Sequence, residues 1–198
     1  AAVKFSGSSG RDGLALKYAP DDLRSDAEVV LTAMGGDLEW TYRLQVFDLV
    51  GDALKEPVLI IKTCWGGKTL MVDFRPPCAG PLPKPLADKM LAGIQRRDPK
   101  ATMKAVEERS GAFYRLMMSE VANTLKNLKE VYPDYDGKGY EIAGFGWHQG
   151  WNDGLSHDTV AEYESNLVNL INDLRKVFNA PEMPVVIANS GFGGSAQK

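Results

Sequence analysis

The stretch Ile142-Ala-Gly-Phe-Gly-Trp-His-Gln-Gly-Trp-Asn-Asp153 decides how this chain is read. Its first half is a short apolar run that fits a fully buried parallel strand. Its second half gathers Trp147, His148, Gln149, Trp151, Asn152 and Asp153, more hydrogen-bonding capacity and aromatic surface than a turn requires. In open α/β sheets ligands bind at the carboxyl edge of the strands, so the order of these residues predicts a site there.

Downstream, Tyr163, Leu167, Leu170, Ile171, Leu174 and Phe178 trace one helical stripe. Thr159-Val-Ala-Glu162 reads as the capping box that opens this helix, and Asn179-Ala-Pro181 closes it. Pro184-Val-Val-Ile-Ala188 is a second buried strand. A strand–helix–strand unit of this kind predicts a right-handed crossover and a parallel sheet.

Upstream, the β-branched run Pro57–Thr63 predicts another buried strand, entering Cys64-Trp-Gly-Gly-Lys68. Asp37 caps a predicted helix over Leu38–Leu54, Val29–Ala33 is a short strand or irregular, and Ala1–Arg24 reads as loop. The proline density of Asp73–Pro99 argues against long regular elements and for an ordered surface excursion. Lys100–Arg109 predicts a helical turn or two. Tyr114, Met117, Val121, Leu125, Leu128 and Tyr132 predict one helix between Gly111 and Tyr132. Asp134–Gly139 is a turn: read as a calcium loop, it would need ligands where Lys138 and Phe145 stand.

With 198 residues, 44% hydrophobic and 25% charged, the chain has the composition of one globular domain with a substantial core. A net charge of −3 without a basic block argues against nucleic acid as a partner. No apolar run reaches the roughly 18 residues that a membrane span needs. Cys64 and Cys78 are open to pairing or to remaining free thiols. No residue pattern asks for a metal or a cofactor, and the oligomeric state is not legible.

Each strand ends in a Gly-rich or polar cluster, at Thr63–Lys68, Trp147–Asp153 and Asn189–Gly194, and a parallel sheet brings such ends to one edge. Gly66 and Gly67 have no Cβ to keep a ligand from their amides. Those amides and the Gln149 carboxamide are the usual parts of an oxyanion hole for acyl transfer. Trp65 and Trp151 offer flat faces on which a sugar stacks. Structural readings compete: Trp147 as core, His148 as a partner for buried backbone groups, His157 as a solvated loop residue, Asn152 and Asp153 as cap or turn residues.

Trp147-His-Gln-Gly150 with Asn152-Asp153, preceded by Lys62-Thr-Cys-Trp-Gly-Gly-Lys68, resembles the sialate O-acetylesterase-like group. That group is related to the acetylxylan esterases of carbohydrate esterase family six and has an SGNH-hydrolase fold. The resemblance runs from about Gly35 to Gly194 and takes in Asp73-Phe-Arg-Pro-Pro77 and Tyr163–Arg175. It implies an α/β fold, a three-layer α/β/α arrangement with a parallel sheet of the SGNH or flavodoxin-like kind. The activity it implies is removal of acetyl esters from sugars by a serine nucleophile, in a secreted or periplasmic protein. Its catalytic group, carried over, is Gly66, Gly67, Gln149 and Asp153. Trp65, Lys68, His148, Trp151 and Asn152 are its substrate-binding candidates.

Two departures stand out. Trp151 occupies the position where family members often have Glu. The family's Gly-Gln-Ser-Asn-like nucleophile turn and its Asp-x-x-His are both absent from this sequence: Ser6, Ser8 and Ser9 lie in a loop, and Ala188-Asn-Ser-Gly191 is not a nucleophile elbow. The expectation is therefore a partial domain spanning 1–198, with the nucleophile and catalytic histidine outside it. A non-catalytic carbohydrate-binding relative is the alternative. A P-loop-like phosphate binder fails because Lys62 stands where the motif needs Gly. A Cys64–His148 hydrolase yields to Cys64 as a small packed residue.

Overall fold

Phe145–Trp147 (β1) and Val185–Ile187 (β2) pair in parallel, with Phe145 opposite Val185 and Trp147 opposite Ile187, in a computed structural model that describes residues 58–188. The parallel pairing expected on either side of the long helix is thus present. The strands are less buried than their apolar composition predicts. Trp147 is 5% exposed, whereas Gly146 is exposed and Ile187 is 52% exposed. Trp147 and Ile187 stand opposite one another in register, so Trp147 is covered while its partner on the neighbouring strand is open to solvent.

The described helices are α1 (Lys84–Gln95), α2 (Met103–Arg109), α3 (Ala112–Lys126), α4 (Leu128–Val131), α5 (His157–Ala161) and α6 (Tyr163–Val177). Short 3₁₀ turns cover Pro77–Ala79 and Asp153–Leu155. None of these helices is long and apolar enough to cross a membrane. The loop of Ala1–Arg24, the Val29–Ala33 segment, the helix expected after Asp37, the serines Ser6, Ser8, Ser9 and Ser190, and the Asn189–Gly194 cluster lie outside the described residues.

Several expectations are corrected. Residues 58–63 are half-buried but carry neither helix nor strand: a β-branched run makes a strand only where a neighbour pairs with it, and pairing is not written in the run itself. The proline-rich excursion contains the 12-residue α1. Pro83 precedes its first turn and Pro85 lies within it, where a missing N–H costs no helix hydrogen bond. The helix expected between Gly111 and Tyr132 breaks at Asn127 into α3 and α4. The Thr159–Glu162 capping box does not form: the Thr159 hydroxyl donates to the carbonyls of Asp153 and Ser156, and Glu162 sits at the junction between α5 and α6. Both cysteines are free thiols, and Cys64 is exposed rather than the small packed residue expected.

The described residues fall into two compact units that alternate along the chain. One contains 58–64, 123–149 and 183–188, with the β1–β2 pair, and in it Leu128, Trp147 and Met183 are buried. The other contains 65–122 and 150–182. There Leu82, Ala87 and Val106 make one core with the apolar sides of α1 and α2. Leu167, Leu170 and Leu174 of α6 are buried as their spacing predicts.

Candidate active site

Trp147 ends β1 as a buried residue, and the next positions change character at once. His148 is exposed, Gln149 is half-buried and Trp151 is 56% exposed. This excludes His148 as a partner of buried backbone and leaves it a reachable imidazole at a strand end. Trp151 presents a large apolar face to solvent. Asn152 precedes the 3₁₀ turn without a side-chain cap bond, and His157, read as a loop residue, begins α5 and is exposed.

Asp153 behaves differently from the rest of its block. It is 1% exposed, and its carboxylate accepts hydrogen bonds from Leu70 N–H (2.8 Å) and Met71 N–H (3.0 Å). Charge-assisted bonds of this type are among the stronger ones a protein makes. Leu70 and Met71 are themselves buried, within a tight turn that begins just after the Gly-Gly pair. In that turn Asp73 N and Phe74 N both donate to Thr69 O, while the Asp73 carboxylate accepts from Thr69 N–H and hydroxyl.

Gly66 and Gly67 form the exposed turn immediately before it. Gly67 has φ 72°, the left-handed region, and open space surrounds both α-carbons where a side chain would stand. A bare backbone facing solvent is what a donor turn requires. The neighbouring side chains are engaged elsewhere. The Trp65 ring packs at 5.3 Å from Phe113 and 6.1 Å from Phe74, and the Lys68 ammonium lies 4.0 Å over the Phe113 ring and 3.8 Å from Asp73. Trp65 and Lys68 thus have local structural roles. Gly66 and Gly67 belong to the same unit as Asp153, whereas His148 and Gln149 belong to the other.

Sequence reasoning gave no role to Arg75. It is 6% exposed, and its guanidinium donates to the carbonyls of Gly80 (2.9 Å), Ala79 (2.9 Å) and Pro81 (3.1 Å), and to Asn166 Oδ1 (3.3 Å). Glu162 supplies a carboxylate at 3.5 Å. The signal available was a lone arginine between an apolar turn and two prolines, which does not reveal partners some 90 residues away. Among the described residues no group of three or more His, Cys, Asp or Glu side chains is placed to hold a metal ion.

Against protein families, the chain matches a model described as carbohydrate esterase, sialic acid-specific acetylesterase, over residues 55–196. Searches among curated proteins and among solved structures give no significant match.

Proposed function

This chain belongs to the sialic acid-specific acetylesterase family of carbohydrate esterases, and from that premise we propose that it serves to remove acetyl esters from a sugar by serine-nucleophile chemistry. The family match over both sequence blocks carries this reading. In the reaction a serine Oγ attacks the acetyl carbonyl carbon while a histidine takes its proton. The carbonyl π electrons move to oxygen, the tetrahedral intermediate collapses, and the sugar hydroxyl leaves with the proton. Water then releases acetate from the acyl-enzyme by the same sequence.

The roles we assign within this chain are electrostatic and positional. Gly66 or Gly67 N–H is assigned as a backbone donor to the oxygen as charge develops on it, and the Gln149 carboxamide is assigned separately, from its place in the family block, as the side-chain donor. Trp151, exposed beside the block, is the stacking face for the sugar. His148 and Asn152 are its polar contacts. The three-layer α/β/α arrangement of SGNH hydrolases is part of the same proposal.

The test is labelling of the full-length protein with a fluorophosphonate, together with acetate release from an O-acetylated sugar. Labelling and release are expected. If neither occurs while the sugar still binds, the non-catalytic carbohydrate binder takes its place, a reading that the Trp151 departure favours. Gln149→Ala is expected to lower kcat by about 10²- to 10³-fold, the usual loss for one oxyanion donor.

A further inference from the structure

The family block hands Asp153 to the catalytic group, but its surroundings assign it another task. A relay carboxylate orients a histidine; this one faces two backbone amides of a buried turn, at 2.8 and 3.0 Å. We propose that Asp153 is a positioning residue, a buried latch that holds the turn after Gly66-Gly67 and thereby fixes the direction of the glycine amides. The proposal rests on the oxyanion role given to those glycines above.

The turn has little freedom left once Asp153 has hold of it. Met71 is gripped at three points: its N–H by Asp153, its carbonyl by Arg75 Nη1 (3.4 Å) and its sulfur by Asn166 Nδ2 (3.4 Å). Thr69 is closed onto Asp73 by main chain and side chain, and its hydroxyl also accepts from Val72 N–H (3.2 Å). Only Lys68 separates Thr69 from Gly67, and the Lys68 ammonium is itself tied to Asp73 and to the Phe113 ring. A Gly-Gly pair is the most pliable dipeptide a chain can carry, so its amide directions depend on what anchors its ends. The downstream anchor is this latch. An asparagine at 153 would turn an NH₂ group, or a weaker neutral oxygen, toward an N–H that now meets a carboxylate oxygen.

The test uses the full-length protein and two readouts. In Asp153→Asn, protection of the Leu70 and Met71 amides against hydrogen exchange is expected to fall at least tenfold, with the amides of α1 unchanged. Alongside it, kcat should fall about 10- to 100-fold with KM nearly unchanged, since small misplacements of catalytic groups cost that much. The shape of the pH–rate profile should stay the same, because no titrating relay is lost. Unchanged protection overturns the latch. A changed pH profile overturns it too, by making Asp153 part of the proton relay. Lost protection with full turnover overturns the positioning role; if Gly67→Ala and Gln149→Ala also turn over normally, the oxyanion assignment itself has failed. Should Asp153→Asn not fold, Thr69→Val opens the same turn from its less buried side. The same loss in kcat at constant KM is expected, and full activity in Thr69→Val overturns the proposal.

Discussion

Arg75 carries a positive charge to a site where almost none of it meets water, and the charge is tolerated because main-chain carbonyls from three successive residues surround it. The planar guanidinium reaches them together with Asn166 and Glu162, which a lysine cannot do. Arg75→Met should therefore leave the buried Asn166 Oδ1 and the part-buried carbonyls of Ala79, Gly80 and Pro81 without this donor and cost about 3 kcal/mol, measured by denaturant unfolding. Gly111 is constrained differently. Its φ is 66°, and a Cβ there would stand 2.5 Å from the Arg75 carbonyl oxygen, so Gly111→Ala should cost about 2 kcal/mol or more. Cys78 gives a pH prediction. Partial desolvation, then the neighbouring Asp173 carboxylate, pushes its thiol above the ordinary range. The thiolate fraction near pH 8 is lowered, so alkylation should be slower than for free cysteine, and Asp173→Asn should speed it. At this scale the sequence was informative about residue type and poor about partners. Trp147 was legible as core because it sits inside a strand. Lys68 and Trp65 were not legible as members of an aromatic cluster, because Phe113 lies far along the chain.

Helices with a repeated apolar stripe were the most legible elements. Leu167, Leu170 and Leu174 of α6 are all buried, and Leu170 is 0% exposed. Leu170→Ala should lower stability by about 3–5 kcal/mol in denaturant unfolding, the range for a leucine with no solvent contact. Periodicity identifies such a face because each turn repeats the same requirement. The end of an element carries no such repetition. Thr159 has the composition of a cap, but its hydroxyl serves as a donor to carbonyls, and the helix boundary moved accordingly. In α1 the error ran the other way. Its prolines look like breakers in the sequence, whereas a proline within the first turn is compatible with a helix. The strand β2 was legible from its β-branched run, while the similar run at 58–63 was not matched by a strand. The difference lies in pairing, which no local pattern encodes.

At the scale of the molecule, neither compact unit is one continuous piece of chain. The boundary crosses between Gln149 and Gly150, inside the block that identifies the family, and the last segment of the β1-containing unit begins at Met183. Ending the chain at Glu182 would therefore remove β2, the strand paired with β1. The expected outcome is a red shift of tryptophan emission as Trp147 loses its cover, with the helical circular dichroism of α1 and α6 largely kept.

The Asp153 carboxylate also sets a schedule for biosynthesis. Leu70 and Met71 leave the ribosome 82 to 83 residues before the group that receives their amides. At about 5–20 residues per second, that turn waits roughly 4–16 s for its partner to be made. Through that interval the two amides have only water to donate to, so the turn gains its buried acceptor late in synthesis.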